Sequence, residues 1–434
     1  MYNFIFQEKK LFYTLLFWMI VGIASRTAAM LVIPLHLLSM KGKPNVHLMF
    51  LLGLWFIMLL SDSRQYFFAF AKTIKPIVML AVAFLIWTER RYWSKTIVFS
   101  AFIPFFFTAS ISTFNSPIQF NSIQKLISYF IILFVIPQLI INLLQTEKER
   151  FMKGVVTFGT LVLLIGLVMK YVMPGIVTFE TTGRFNGLLG NPNGLGIFTF
   201  VFLMLYMLIK KYHPEYFTQK ENWIILGSII ASLILAGSRG GIFSSILFIT
   251  GYFLFQRSIF MGFIVMISIF VSYQLVMANL EEIIIALNLQ DYFRLDTLEQ
   301  GSGRLVAFKF AWEHIQYNYW IGRGFGYTKH LMHKYQNYFL SMGHQGNVHN
   351  SYLTIWLDTG LIGLSAFIFG WLKTFYKASR FSPLIWAVMF GIMLTTTVES
   401  WLAASMNPFT IQLVIILTML STPEFYTKTN KSEV

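Results

Sequence analysis

No cysteine occurs anywhere in the chain, which excludes disulfides, thiolate metal sites and cysteine nucleophiles together and leaves the redox compartment open. Charge is also scarce: 12% of the 434 residues are Asp, Glu, Lys or Arg, about half of the roughly 25% usual in soluble domains. Acidic residues are the scarcer sign, 18 against 33 basic ones, giving a net charge of +15. That surplus would point to nucleic acid if the cations formed one block. They sit instead in short clusters between apolar runs, as a topology signal does, so no nucleic acid is expected. No internal repeat and no low-complexity tract is visible.

What fills the chain is apolar: 56% hydrophobic and 18% aromatic residues, with a mean hydropathy of +0.64. Apolar runs lie at about 11–24, 27–40, 46–60, 77–87, 97–112, 126–144, 155–172, 194–209, 223–238, 242–255, 259–276, 350–372, 383–402 and 409–420. A helix needs roughly 20 residues to cross the hydrocarbon core, so the shorter runs must tilt, extend into their flanks or only dip in. The expected fold class is an all-α polytopic membrane protein with about 12–14 transmembrane helices and one large, partly helical outer loop. The first run follows Lys9 and Lys10 and lacks a clear small-residue cleavage site, so it reads as a retained helix.

Lysine and arginine in short loops mark the cytoplasmic side. The loops 88–96 (Arg90, Arg91, Lys95), 145–154 (Lys148, Arg150, Lys153), 210–222 (Lys210, Lys211, Lys220) and 373–382 (Lys373, Lys377, Arg380) are basic, whereas 113–124 and 403–408 contain no charged residue. Both termini are then expected in the cytoplasm. The 61–76 loop, with Arg64, Lys72 and Lys75, breaks the alternation. The expected organisation is an N-terminal transmembrane bundle over 1–276, a large extracytoplasmic loop over 277–348, and C-terminal transmembrane helices with a short tail over 349–434. Within the loop, "GRLVAFKFAWEHIQ" (303–316) has apolar residues at helical spacing, which predicts a helix lying along the membrane surface.

Four polar segments map to the outer face. "GRFNGLLGNPNGLG" (183–196) carries Arg184, Asn191 and Asn193; "AGSRGGIF" (236–243) carries Arg239; "GSGRLVAF" (301–308) carries Arg304; "HNSYLTIWLDTGLIG" (349–363) opens on His349 and Asn350. An arginine at a helix end ordinarily snorkels to the headgroups and does nothing else. Here Gly183, Gly240, Gly241 and Gly303 beside them allow a backbone or ligand to come close, which a plain anchor does not need. Guanidiniums gathered on one face repel unless an anion joins them, and their planar fork matches phosphate oxygens. The implied ligand is a lipid phosphate or pyrophosphate. A neutral histidine beside it can take a proton from an incoming hydroxyl. These parts describe attack by a hydroxyl on a carbon whose leaving group is a pyrophosphate.

The spacing His349, Asn350, Gly360, Gly363 resembles the outer-face signature of the O-antigen ligase and O-antigen polymerase superfamily. "SRGG" (238–241) and "SGR" (302–304) are similar to that family's two arginine motifs, and "GRFNGLLGNPN" to a segment of its polymerase-type members. The likeness covers about 183–402. It departs at Phe243, where the family often has leucine. The resemblance implies a multi-spanning helical fold and inverting, metal-independent glycosyl transfer from an undecaprenyl-diphosphate-linked donor to a glycan acceptor, without a cofactor. By that resemblance His349 would be the base, Arg239, Arg304 and Arg184 would hold the diphosphate, and Asn350 of the same motif would support them. Glu399, an acidic residue near the outer end of its span, is read from its place alone as a group to orient an arginine or the histidine, with a structural ion pair as the plainer reading. The implied place is the bacterial inner membrane, facing the periplasm, with a chain-length regulator among the partners. Polymerisation of lipid-linked repeat units into O-antigen, capsule or exopolysaccharide is the leading reading. Ligation of finished polysaccharide onto lipid A core is the near alternative. A transporter for an anionic lipid-linked glycan is the reading from another class, disfavoured because transporters place polar groups near the midplane.

Three further features have plainer explanations. His330 and His333 have the i, i+3 spacing of metal ligands, but "TKHLMHKYQNYF" reads as a basic amphipathic surface helix. Asp358 stands nine residues past His349, about 13 Å along a helix, too far for contact. Gly360 and Gly363 are expected to permit close helix packing.

Overall fold

Every apolar run falls on a helix in the structure, a computed structural model that describes residues 1–43, 45–88, 97–180, 182–279, 286, 304–341 and 347–427. In chain order the described helices are α1 (Tyr2–Gln7), α2 (Lys9–Ala24), α3 (Arg26–Ser39), α4 (His47–Asp62), α5 (Ala69–Thr88), α6 (Ile97–Phe114), α7 (Gln119–Thr146), α8 (Lys148–Val172), α9 (Pro174–Val177), α10 (Pro192–Tyr212), α11 (Gln219–Ala236), α12 (Arg239–Arg257), α13 (Ile259–Ala278), α14 (Arg304–Gln316), α15 (Tyr327–Lys334), α16 (Gln336–Ser341), α17 (Ser351–Ala378), α18 (Leu384–Val398) and α19 (Pro408–Leu420). The chain is an all-α polytopic membrane protein. Among the described residues, five helical segments are long and apolar enough to cross a bilayer: Tyr66–Thr88, α7, α8, α10 and α17. Six further apolar helices run to 10–17 residues. Most of the basic loop 88–96, the motif residues Ser302 and Gly303, and His344 lie outside the described residues.

Contacts group the chain into two units, residues 1–100, 128–246 and 405–434 in the first and 101–127 and 247–404 in the second. This grouping follows packing and cuts across the sequence divisions 1–276, 277–348 and 349–434.

In the first unit α10 is the most enclosed span, with 89% of its apolar window buried, and it packs on α8, α11 and α19. Its start is set by "NPN": the Asn191 side chain accepts the Gly194 N–H at 2.8 Å, and Pro192 at the first helical position forfeits an N–H that would have no partner there. The same device starts α19 at Asn407–Pro408. Trp55 fills the centre against Phe158 and Phe198, with ring centroids 4.8 and 6.0 Å away. One end of the unit is laced by ion pairs. The Met1 ammonium meets Glu221, and Arg150 forks onto Glu8 at 2.6 and 2.8 Å and also reaches Glu147. Lys148 binds the Glu424 carbonyl at 2.9 Å, so the N-terminus and the segment around 424 share this end. At the other end, the Gln65 amide donates to the Ile176 carbonyl, Asp62 accepts the Gly190 N–H, and Lys75 reaches the Met406 carbonyl. The 61–76 segment is therefore more than a loop: Lys72 and Lys75 lie in the first turns of α5.

In the second unit α17 is broken at Gly360, whose φ of +70° and ψ of 179° are not helical. Four backbone groups around the break are taken up by the segment 319–324. Leu361 and Ile362 donate to the Tyr319 and Trp320 carbonyls at 2.8 and 3.2 Å. Arg323 and Gly324 donate to the Leu357 and Asp358 carbonyls at 3.3 and 2.9 Å. A group left unmatched in lipid would cost several kcal/mol. A Cβ at Gly360 would fall on the Trp320 carbonyl and the Ile321 amide. The expected close helix packing at this glycine is thus replaced by close approach of a loop backbone, and a Cβ on Gly363 would meet Thr359 of the same helix.

Asp358 locks this joint from beneath. It is fully buried and accepts from Gly326 N, Thr328 N and Thr328 Oγ1, each at 2.7 Å, and from Lys125 Nζ at 2.9 Å. The Lys125 ammonium also stands 4.3 Å from the Phe325 ring centre. The stripe of α14 packs Ala307, Phe310, Ala311 and Ile315 against Leu331, Met332, Phe339, Val348 and Leu357. Its apolar face is therefore covered by protein, where a helix lying on the membrane surface would bury that face in lipid. α15 is amphipathic as expected, with Leu331 and Met332 buried and His330 and His333 exposed.

Gly360→Ala combines a disallowed φ with a backbone clash and is expected to destabilise the fold by about 2 kcal/mol or more. Gly227→Ala, in α11 with open space around it, is expected to stay within about 1 kcal/mol of the parent. Thermal midpoints in detergent compare them; equal midpoints would contradict the joint described.

Candidate functional site

His349 and Asn350 sit where a loop turns into α17, and the turn is made by an unusual backbone. His349 has φ +50°, left-handed for a residue with a Cβ, a conformation that costs of order 1 kcal/mol and persists only where its surroundings enforce it. They do so through a set of clamps. Asn350 is the helix cap: its Oδ1 accepts the N–H groups of Tyr352 and Leu353 at 2.9 and 3.0 Å, and its Nδ2 donates to the Thr397 carbonyl at 3.1 Å. The Ser351 hydroxyl donates to the Glu399 carbonyl at 2.8 Å, and the Ser400 hydroxyl to Asn347 Oδ1 at 3.0 Å. The segment 347–351 is thereby sewn to 397–400.

The apolar run expected to continue to 402 ends as a helix at Val398, which leaves Glu399 as the extended residue after α18. Its Oε2 lies 2.9 Å from His349 Nδ1, with both side chains partly exposed at 14% and 23%. An ionised carboxylate only accepts, so Nδ1 is the donor and carries the proton in the neutral ring. Nε2 is then left with a lone pair. Glu399 is not where helix electrostatics would place it: a carboxylate at a helix C-terminus opposes the local dipole by about 0.3–1 kcal/mol. Its contact with His349 offsets that cost, and gives the imidazole a fixed tautomer and direction.

In the first unit, "SRGG" becomes a helix start. The Ser238 hydroxyl accepts the Gly241 N–H at 3.3 Å and Arg239 is the first residue of α12. A Cβ on Gly241 would stand 2.8 Å from the Gly196 backbone, so this glycine serves close packing against α10. Arg239 is exposed, and no carboxylate pairs with it among the described residues. A cation at the positive end of a helix is unfavourable alone and becomes favourable with an anion. Arg184 has more company: Nε and Nη2 both donate to the Ala236 carbonyl, at 3.0 and 2.7 Å, closing the end of α11. Burial first, and the charge of Arg239 second, hold its guanidinium below the usual arginine pKa. Part of its fork is therefore structural. Arg304 is the first residue of α14, and its side chain lies outside the described residues. Phe243 is 47% exposed.

The structure thus joins His349, Asn350 and Glu399 in the second unit and Arg184 with Arg239 in the first. Ser351 and Ser238 were not singled out from sequence; a serine beside a motif residue at a helix start is the signal that could have found both. Asp358 belongs to the joint at Gly360 and makes no contact with His349.

Residues 224–368 match the family model described as O-antigen ligase. The matched span contains Arg239, Arg304, His349 and Asn350, and stops short of Arg184 and Glu399. A search of curated proteins found no match.

Removing the cap by Asn350→Ala is expected to lower stability by about 1 kcal/mol, visible as a reduced thermal midpoint. Asn337→Ala, at an exposed site on α16, is the comparison and is expected to change little; a reversed order would contradict the capping role.

Proposed function

We propose, from the match of residues 224–368 to the O-antigen ligase family model and from the resemblance of the motifs to the ligase and polymerase superfamily, that the chain transfers a glycan from a polyprenyl diphosphate to an acceptor hydroxyl by inverting displacement. The observation that carries the reading is the His349–Glu399 contact, which leaves Nε2 as the proton acceptor at the rim of a helix. The acceptor O–H gives its proton to His349 Nε2 as its oxygen bonds to the anomeric carbon. The bond from that carbon to the diphosphate oxygen breaks on the opposite face, and its electron pair leaves with the diphosphate. Arg239 and Arg304 meet the charge that develops there, and Arg184 adds what remains of its fork. Arginine suits this work because it stays cationic and binds phosphate oxygens in pairs. Neither a metal nor a nucleotide is needed in this scheme. The placement that goes with it is the bacterial inner membrane, with the reaction on the outer side and both termini in the cytoplasm.

Two acceptors suit the same chemistry. A lipid-linked repeat unit makes the enzyme a polymerase, a reading supported by the likeness of "GRFNGLLGNPN" to polymerase-type members. A lipid A core or another finished acceptor makes it a ligase, which the description of the matched family favours.

His349→Ala is expected to reduce transfer by about 10²–10⁴-fold, the usual worth of a general base. Arg239→Ala and Arg304→Ala are each expected to cost about 10²–10³-fold, as for the loss of a preorganised charge partner. Membrane insertion should be unchanged. Surface polysaccharide from a deletion strain carrying each variant reads the outcome. Single repeat units on the lipid core indicate a polymerase, and long chains stranded on the carrier indicate a ligase. Parent-like polymer from His349→Ala would remove the histidine from the reaction.

A further inference from the structure

Positive charge stands at both ends of the first unit, and a topology signal can account for only one of them. At the end that holds Met1, three carboxylate-matched cations stand out, Arg150 with Glu8 and Glu147, Lys153 with Glu149, and the Met1 ammonium with Glu221, beside cations such as Lys148 and Lys210 that rest on carbonyls or a ring. At the other end the cations are held by neutral groups. The Arg64 guanidinium lies 4.6 Å from the centre of the Phe179 ring, and the Lys170 ammonium 5.8 Å from that of Phe185. Arg184 is held by a carbonyl, and Arg26 by the Thr73 hydroxyl at 2.6 Å. Asp62 is the carboxylate in reach of Arg64 and Lys72. Rings and carbonyls fix such side chains in direction without cancelling their charge.

The loop 178–190 ties these groups into one surface. It carries Phe179, Phe185 and Arg184, and its Gly190 N–H binds Asp62 beside Arg64. Arg64 and Lys72 are exposed and Lys170 is half-buried, and close to Arg64 and Lys170 in sequence are two exposed aromatic side chains, Tyr66 at 92% and Tyr171 at 84%. Cations held in direction, with exposed tyrosines on the same segments, present two complementary features to a sugar acid. The fork of an arginine takes a carboxylate or phosphate, and an aromatic face takes the C–H side of a pyranose.

We infer that this end of the first unit, built on Arg64, Lys72 and Lys170 around the 178–190 loop, binds an acidic glycan, one bearing carboxylate or phosphate groups along its chain. The inference rests on the transfer reading and names the class of its substrate. It also gives the cations of the 61–76 segment a purpose that membrane topology does not.

The test uses the full chain in nanodiscs of phosphatidylcholine, with a fluorescent oligogalacturonate as acidic probe and a dextran oligomer of equal length as neutral probe. The acidic probe is expected to bind at least about 10-fold more tightly, with an affinity that falls as salt rises. The double variant Arg64→Gln/Lys170→Gln should lose about 10-fold in that affinity while keeping its thermal midpoint, and Arg64→Lys/Lys170→Arg should retain most of it. Equal binding of both probes, or an unchanged affinity in the double Gln variant, overturns the inference. So does a third outcome: no binding of the acidic probe, together with a preference for phosphatidylglycerol in mixed nanodiscs that the double variant loses, since the cations then serve lipid headgroups. None of these outcomes depends on turnover, so failure here leaves the His349 test of the transfer reading standing, and failure there is read separately.

Discussion

Backbone hydrogen bonding inside an apolar surrounding is the constraint on which the rest depends. A helical membrane protein can open a helix only where other protein groups take up the freed N–H and C=O, and this chain does so at Gly360. There the carbonyls of Tyr319 and Trp320 and the amides of Arg323 and Gly324 complete the broken turn, with buried Asp358 and Lys125 beneath. The short segment 351–359 becomes a separate, clamped piece, and at its head stands His349.

The positions of the motif residues share one electrostatic theme. Arg239 and Arg304 open helices, and His349 immediately precedes the residue that caps one. Each is a site where a positive charge is locally disfavoured and an anion is welcome. Natural helices usually put acidic residues there. Placing cations instead makes sense when the neutralising charge arrives with the substrate, as the diphosphate of the proposed donor would. Glu399 follows the same inverted logic at the end of α18: it is out of place for its own helix and in place for the imidazole.

Much of the architecture could be read from the sequence because hydropathy reports directly on what surrounds a helix. All the apolar runs became helices, and the 3.6-residue spacing in 304–316 and 327–334 marked the buried faces of both. What could not be read were pairings between distant residues and backbone angles. Glu399 was a candidate to orient either an arginine or the histidine, and only the fold brings it to Nδ1 across fifty positions. Gly360 and Gly363 have the spacing of a packing motif, yet the first is a break, because sequence does not announce ψ. Arg184 looked like a ligand contact in a motif, and the structure also gives it the carbonyl end of α11 to hold. The odd charge of 61–76 was visible at once; its reason lay in the loop 178–190 that folds beside it.

The central claim is that Glu399 holds the proton on His349 Nδ1, so that the lone pair of the neutral ring lies on Nε2. The most direct measurement is the ¹⁵N spectrum of ring-labelled histidine in the membrane-embedded protein, assigned through His349→Ala. A neutral ring protonated on Nδ1, shifting to a mixture of tautomers in Glu399→Gln, is the result the account predicts. A ring protonated on Nε2 in the parent, or one indifferent to position 399, would contradict it.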